Sequence, residues 1–351
     1  MPRKVLVTGG AGFIGSNFIH YLLDRYDDIS VINLDDLTYA GNLRNLADLE
    51  KDPRYFFIRE NICNFPGLQT VFKKFEPDYV INFAAESHVD RSILDPDIFI
   101  RSNVLGVQNL LKLSLDCEIE RMIQISTDEV YGSLGESGVF TEKSPLDPRS
   151  PYSASKASAD LLTLAYYYTF NLPVNITRCS NNYGPFQFPE KLIPLTILHC
   201  LKGEKIPVYG DGLNIRDWIH VDDHCSAIDR VLTDGIPGEI YNVGAQNEMT
   251  NIEMVNTIIC ALKELRPDLP LTEDSIVFVP DRKGHDRRYA IDPEKIQKTL
   301  GWKSRMPVSE GIKTTVEWYL NNVNWLESVI NAEYLHYYSV NYRIGNPLPK
   351  L

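Results

Sequence analysis

Residues 4–23 read KVLVTGGAGFIGSNFIHYLL. The valine-rich run 4–8 predicts a short strand, because β-branched side chains suit a pleated, half-buried surface. Apolar side chains then recur at helical spacing over 13–23, which predicts a helix. Between the two lie Gly9, Gly12 and Gly15. A residue without a side chain permits the tight turn, lets a pyrophosphate approach the backbone and lets the helix pack closely on the sheet. The free amides at the helix N-terminus then face an anion. A glycine triplet alone specifies only a turn; a strand before it and a helix after it make it a dinucleotide-binding signal.

Working outward, β-rich runs recur at 29–34, 55–58, 79–84, 122–126 and 174–178, with helical stretches between several of them. Two further helices are predicted, at 98–115 and at 153–170 after Pro151. Repeated β-α alternation implies an α/β fold with a Rossmann-type, doubly wound parallel sheet. After residue 180 the texture changes: NNYGPFQFPEK and YGDGLNIRDW mix proline, glycine, aromatics and charge, as a binding cleft does. The expected organisation is a dinucleotide domain over 1–180, with 217–245 returning to it, and a smaller α/β substrate domain from 181–216 and 246–325. A C-terminal extension, 326–351, reads as a packed terminal helix in preference to a docking arm.

The 351 residues carry 35 basic against 47 acidic side chains, a net charge of −12, which repels a phosphate backbone and argues against nucleic acid or an anionic membrane as partner. A hydrophobic share of 44% with 21 glycines and 21 prolines describes a folded, soluble chain and excludes disorder or collagen-like repeats. Cys63, Cys117, Cys179, Cys200, Cys225 and Cys260 form no CxxC pair, and no His/Cys cluster has metal-ligand spacing. Reduced thiols, no metal site and a cytoplasmic location are the expectations. The apolar run at the N-terminus is too short for a signal-peptide core.

Asp35 lies at the end of the second predicted strand, twenty residues beyond Gly15. There a carboxylate accepts from an adenosine ribose, and with Asp36 it repels a 2′-phosphate, so NAD is expected over NADP. Tyr152 and Lys156 are spaced four apart on one helical face, a phenol beside an ammonium. An unperturbed tyrosine is a poor base at neutral pH. A neighbouring cation and a positive nicotinamide favour its phenolate, which can take a proton from an alcohol as hydride leaves.

TGGAGFIG, the strand ending STDEVYG and the YSASK helix resemble the extended short-chain dehydrogenase/reductase superfamily. LDDLTYAGN, NFAAESHVDRSI, TRCSNNYGPFQFPEKLIP, GLNIRDWIHVDDH and GHDRRYAID narrow the resemblance to its nucleotide-sugar 4,6-dehydratases, over nearly the whole chain. The resemblance implies that Thr127 meets the sugar 4-hydroxyl, that Tyr152 is the base with Lys156 assisting, and that Asp128 and Glu129 perform an elimination. Oxidation at C4 acidifies the C5 hydrogen, so a carboxylate (Glu129) can remove it while a carboxylic acid (Asp128) protonates the departing 6-hydroxyl. Adjacent like charges in a closed site push two such pKa values apart.

By the same resemblance, Phe13, Ile14, Thr38, Asn61, Ile62, Phe83, Ala84, Ala85, Ser87, Ser102 and Asn103 join the glycines, Asp35, Tyr152 and Lys156 around NAD. Ser87, Thr127, Asn181, Glu190, Lys191, Leu192, Pro207, Tyr209, Arg216, Asn251, Asp281 and His285 hold the nucleotide sugar, with Arg216 toward its diphosphate. His285 and Tyr289 suit packing as well as ligand contact, and His88 reads as a structural histidine. Two positions depart from the family pattern. Asn61 stands where many members carry Asp facing the adenine amino group; its amide oxygen can still accept. Asp36 stands where lysine is common, and reads as surface variation.

The implied activity is dehydration of a nucleotide diphosphoglucose, the thymidine nucleotide ahead of the uridine one, by a homodimer built on helices 98–115 and 153–170. Burial of those helices inside one subunit would leave the same pattern. The rivals are the same reaction on UDP-glucose, another superfamily reaction such as 4-epimerisation, and a silent NAD-binding sensor. Intact Tyr152, Lys156, Asp128 and Glu129 speak against the sensor.

Overall fold

A computed structural model describes residues 3–330. The chain opens with β1 (Arg3–Thr8), α1 (Phe13–Arg25), β2 (Ile29–Asp35), β3 (Tyr55–Arg59), α2 (Phe65–Phe75) and β4 (Tyr79–Asn82). It continues with α3 (Val89–Leu94), α4 (Pro96–Ile100), α5 (Val107–Asp116), β5 (Arg121–Thr127), α6 (Pro151–Phe170), β6 (Val174–Cys179) and β7 (Asn181–Tyr183). Then come α7 (Leu192–Lys202), β8 (Ile206–Tyr209), β9 (Ile215–His220), α8 (Val221–Asp234), β10 (Ile240–Val243), β11 (Glu248–Thr250) and α9 (Asn251–Leu265). β12 (Ile276–Val279), α10 (Glu294–Leu300), α11 (Val308–Asn321) and α12 (Val323–Val329) follow. Most of the expected C-terminal extension, with its tyrosine-rich segment, lies outside the described residues.

Seven strands form one sheet in the order β10-β6-β5-β4-β1-β2-β3, every pair parallel. The order turns back on itself between β1 and β4, and a crevice opens there at the carboxyl ends of the strands. β1 shows why both faces are covered. Val5 and Val7 pack with Phe18, Ile19 and Leu22 of α1 and Ile228 and Val231 of α8. Leu6, between them, points the other way to Leu68 of α2, Leu110 of α5 and Ala159 of α6. A buried parallel sheet needs such continuous apolar runs.

The smaller unit pairs β7 with β9 in parallel and β9 with β11 antiparallel, and sets β12 beside β8. Its core joins Ile197, Val208, Trp218, Val255, Ile258, Ile312 and Val316 from α7, β8, β9, α9 and α11. β9, which carries Trp218, therefore belongs to the small sheet, while α8 and β10 return to the large one, and Ile296 and Leu300 of α10, inside the stretch expected in the substrate domain, join the large core as well. The expected return at 217–245 starts too early. A strand and the helix after it can serve different sheets, and the sequence between Ile215 and Val221 has no break to mark the change.

Two other boundaries differ from expectation. The strand predicted over 79–84 ends at Asn82, and 83–87 is a loop. The helix predicted over 98–115 begins at Pro96, whose fixed φ suits a first helical position, and passes through a π-helical stretch, Arg101–Gly106, before α5. α6 is framed as expected after Pro151. A capping box between Ser150 and Ser153 opens it, and Asn171 in the left-handed region closes it.

Candidate active site

The crevice is built first from the glycine turn. A Cβ on Gly9, whose φ is +70°, would lie 2.5 Å from the Ala84 nitrogen, and one on Gly15 would lie 2.4 Å from the Gly9 carbonyl oxygen. Both positions require glycine. α1 begins at Gly12 with no side-chain cap and no acidic residue in its first turn, so its end amides face the crevice. The Asp35 carboxylate at the tip of β2 accepts from the Ala11 amide at 2.9 Å and the Leu37 amide at 2.8 Å, which fixes it on the crevice wall. Each oxygen keeps a lone pair for a ribose hydroxyl. Burial raises its pKa, opposed by those two amides.

The same crevice is lined by Phe13, Ile14, Thr38, Asn61, Ile62, Phe83, Ala84, Ala85, Ser87 and Ser102, together with the glycines, Tyr152 and Lys156. Asn103 is not on this wall. It is 1% exposed, and its amide exchanges hydrogen bonds with the Glu86 backbone at 2.9 Å while donating to Ser155 Oγ at 2.8 Å. It ties the 83–87 loop to α6, which corrects its expected direct contact with a cofactor.

The two departures from the family pattern are one feature. Asn61 Nδ2 donates to Asp36 Oδ2 at 2.7 Å, and Asn61 Oδ1 accepts from the Cys63 amide at 2.7 Å. Asp36 lines the crevice and orients Asn61, so surface variation does not describe it.

Thr127, Asp128 and Glu129 stand where β5 ends. Thr127 Oγ1 caps the short turn Asp128–Tyr131, accepting from the Glu129 amide at 3.3 Å and lying 3.3 Å from Asp128 Oδ1. Burial pushes the Asp128 carboxyl well above the carboxylate range, and Glu129 and Asp217 add to it against Arg216. Burial also raises Glu129, but three cations, Arg282, Lys191 and Arg216, hold it down. The adjacent acids thus differ in the charge around them: both are raised by burial, but neighbouring carboxylates add to the rise at Asp128 while cations oppose it at Glu129.

Tyr152, in the first turn of α6, faces this pair. Burial raises its phenol well above the usual value, followed by Glu129, while a hydrogen bond with Thr127 lowers it. Lys156 was expected to pull that phenol down. Its ammonium instead donates to the Ile125 carbonyl at 2.6 Å, and its own pKa is lowered by burial.

Of the expected nucleotide-sugar residues, Asn181, Glu190 and Lys191 line the crevice beside Ser87, whose carbonyl accepts from Lys191 Nζ at 3.2 Å. Glu190 is pushed up to about 7 by burial, opposed by Lys191 and Arg91. Its Oε1 accepts from Tyr39 at 3.0 Å. Leu192, Pro207, Tyr209, Arg216, Asn251, Asp281 and His285 stand off this wall, on the small unit. There His285 Nδ1 meets Asp281 Oδ1 at 2.6 Å, and the Tyr209 and His285 rings meet edge to face. Arg216 lies over the Tyr289 ring and donates to the Ile215 and Asp286 carbonyls. Leu192 and Asn251 open α7 and α9. His88 is buried, and burial lowers its pKa well below the usual value.

Glu86, within the run 83–87 expected beside the cofactor, lines the crevice too; Ser126, Cys179, Ser180, Asn182, Gln187 and Phe188 also line it and were not foreseen. Most sit next to predicted residues, and adjacency was their only signal. Arg282, which acts on Glu129, was marked only by the basic run around it.

A parallel sheet with a glycine turn at its switch point, a ribose carboxylate and a Tyr-Lys helix define a nicotinamide-dinucleotide enzyme of the extended short-chain dehydrogenase/reductase class. Comparison with known proteins narrows the class. The chain belongs to the GDP-mannose 4,6 dehydratase family, whose model matches residues 6–315. It is 50% identical over 346 residues to the dTDP-glucose 4,6-dehydratase of Neisseria meningitidis, covering 95% of this chain and 97% of that one. The Bacillus anthracis dTDP-glucose 4,6-dehydratase, solved in complex with NAD, matches with a TM-score of 0.86 at 49% identity, covering 93% of this chain and 99% of that one. A Thermotoga maritima UDP-glucose 4-epimerase matches with a TM-score of 0.82 at 29% identity, covering 91% of this chain and 99% of that one. A shared fold does not separate these reactions, so the side chains must. Among the described residues no helix is long and apolar enough to cross a membrane.

Proposed function

We infer that this protein converts a nucleotide diphosphoglucose, dTDP-glucose first, to its 4-keto-6-deoxy derivative and water. The observation that carries the reading is the Asp128–Glu129 pair, set beside Tyr152 in one crevice with unequal charge around its two members. The relatives support the thymidine nucleotide; UDP-glucose is the second candidate. The glycine turn and Asp35 would hold NAD, which would supply a reversible hydride acceptor for C4 and donor for C6, so that none would be consumed over the cycle. The cradle fits it: the positions that must be glycine, the uncapped helix end and the ribose carboxylate meet along one wall.

The chain's own groups supply the proton steps. Tyr152, oriented with Thr127, takes the 4-hydroxyl proton; burial raises its phenol, and a positive nicotinamide beside it would favour the phenolate. Glu129 then removes the C5 proton, now acidified by the 4-ketone. Asp128, held protonated by burial, gives its proton to the 6-hydroxyl, which departs as water. Once C6 is reduced, Glu129 returns the proton to C5. Arg216, which is buried, and Arg282, which is half-buried, suit the substrate diphosphate.

We also propose a cytoplasmic homodimer. Ile98, Ile100, Leu105, Leu161 and Tyr168 are exposed on and beside α4 and α6, a surface that suits a second copy. Cys117 and Cys260 are exposed free thiols, as in a reducing compartment. Sedimentation tests the dimer: a monomer at micromolar concentration rejects it.

Product mass after separate incubation with dTDP-glucose, UDP-glucose and UDP-glucuronate tests the reaction. Loss of one water without net reduced cofactor is expected, fastest with dTDP-glucose. Unchanged mass with a galactose configuration would make the protein an epimerase, and loss of carbon dioxide a decarboxylase.

A further inference from the structure

The last described helix reaches back to the glycine turn. Trp325 of α12 packs in the core of the small unit, its ring edge-on to Phe186, Trp318 and Tyr319 at centroid distances of 6.0, 5.1 and 6.1 Å. Its single polar atom leaves that core: Nε1 donates to Asn45 Oδ1 at 2.7 Å. Asn45 is 2% exposed, and its Nδ2 donates to the Ala11 carbonyl at 3.0 Å. That carbonyl also accepts from the Asn42 amide at 2.9 Å, and the Ala11 amide is the one that holds Asp35 Oδ2. The chain of contacts therefore runs from the substrate unit through Asn45 to the turn and the ribose carboxylate.

Chemistry fixes the direction of this chain. An indole N–H only donates and a carbonyl only accepts, so a group between them must offer one acceptor and one donor. Asn45 does both, in one orientation. Aspartate would keep the acceptor and lose the donor. The same aromatic cluster grips the crevice a second way: Tyr319 donates to the Gln187 carbonyl at 2.6 Å, and Gln187 lines the crevice. Asn17 of α1 donates to the Pro185 carbonyl at 3.0 Å, and the Phe186 ring stacks on His20.

We propose that Trp325 and Asn45 are positioning residues for the dinucleotide, through which the helices of the small unit set the glycine turn and hence the grip on NAD. The proposal rests on the dinucleotide reading of the crevice. Neither residue lines the crevice, so both act through Ala11.

The test is the rate at which purified protein releases its NAD after dilution into a nucleotide trap, read as bound NAD remaining, beside the melting temperature and the KM for the sugar nucleotide. Trp325→Phe keeps an aromatic ring and removes the donor; Asn45→Asp keeps the acceptor and removes the bond to Ala11. Each should speed release about three- to tenfold, the size of one net hydrogen bond, with KM changed less than about twofold on the same reasoning. The double variant should release no faster than Asn45→Asp alone, because both substitutions cut one chain. Trp318→Phe, in the same cluster, controls for packing: it lowers the melting temperature without speeding release. Release from Trp325→Phe at the wild-type rate, or matched by Trp318→Phe, overturns the proposal. If Trp325→Phe does not fold, Asn45→Asp decides by the same criterion. Wild-type protein with no affinity for NAD would refute the dinucleotide reading itself, and the proposal with it.

Discussion

Glu129→Gln tests the central assignment. The amide matches the carboxylate in shape and leaves the backbone bond from residue 129 to Thr127 Oγ1, 3.3 Å in the wild type, so the turn that carries Asp128 stays formed. What disappears is the base. A positioned general base contributes about 10²- to 10⁴-fold, or roughly 3 to 5.5 kcal/mol of barrier, and kcat should fall by that factor. The loss should be confined to elimination, because Glu129 is the leading charge that raises both Tyr152 and Asp128, behind burial. Without it both pKa values fall. Tyr152 then becomes a better base for the first oxidation, and Asp128 ionises at lower pH, so the alkaline limb of kcat against pH should move toward acid. Exchange of the C5 hydrogen with solvent deuterium, followed by mass spectrometry alongside kcat, separates the steps: exchange should fall with kcat while KM stays within a few-fold. A fall in kcat below about tenfold, or C5 exchange at the wild-type rate, would refute Glu129 as the base.

Asn61→Asp places a carboxylate where an amide now sits 2.7 Å from Asp36 Oδ2, and like charges about 4 Å apart cost about 1 to 4 kcal/mol between water and an effective dielectric of 20. Their repulsion raises the folded pKa of the pair, so urea stability should match wild type at low pH and fall below it as pH rises through that value; parallel curves at pH 4 and 8 would show that the pair is unimportant. Asp160→Ala leaves Arg178, 2.8 Å from Asp160 Oδ2 and nearly unexposed, without its counter-charge, and should cost about 3 to 5 kcal/mol by denaturant titration; a loss under about 1 kcal/mol contradicts the mechanism. His224 is lowered to about 3 by burial and meets Asn182 Oδ1 at 2.8 Å. A depressed base contributes stability above its unfolded pKa near 6.5 that is lost as pH falls toward 3, so His224→Gln should flatten the acid decline in stability, and an unchanged slope between pH 6.5 and 4 assigns the decline elsewhere.

The large sheet was legible because its signals are local. The run 4–23 holds a strand, a turn with obligatory glycines and an amphipathic helix, and each follows from residues within a few positions of one another. The reversal of texture at Asn181 marked the second unit for the same reason. What stayed hidden depends on contacts across the chain. β9 carries no sequence mark of the sheet it joins, since pairing with β7 and β11 is a matter of neighbours. Asp36 looked like a solvated charge because its partner, Asn61, lies 25 positions away. Asn103 was placed at the cofactor by resemblance, whereas its amide is consumed by Glu86 and Ser155. The ammonium of Lys156 was expected to act on Tyr152, and helical spacing does put the two on one face; the carbonyl of Ile125, which takes it, is invisible to periodicity.

The acid pair shows how far a site can depend on both units. Adjacency of Asp128 and Glu129 is a property of the sequence, and their place at the end of β5 a property of the large sheet. Their inequality is neither. Asp217, which raises Asp128, sits on β9 of the small sheet and is itself fixed by the Ala245 amide at 3.0 Å and the Asn247 amide at 2.7 Å. The cations that hold Glu129 down, Arg282, Lys191 and Arg216, all follow the crossover into the small unit. Burial raises both carboxyls; the cations oppose that rise at Glu129, while Glu129 and Asp217 add to it at Asp128. The small unit therefore contributes more than substrate contacts. By setting positive charge beside one acid and a buried carboxylate beside the other, it makes the two carboxyls unequal, and a change that loosens its packing on the large sheet should weaken both the elimination and, through Trp325 and Asn45, the hold on NAD.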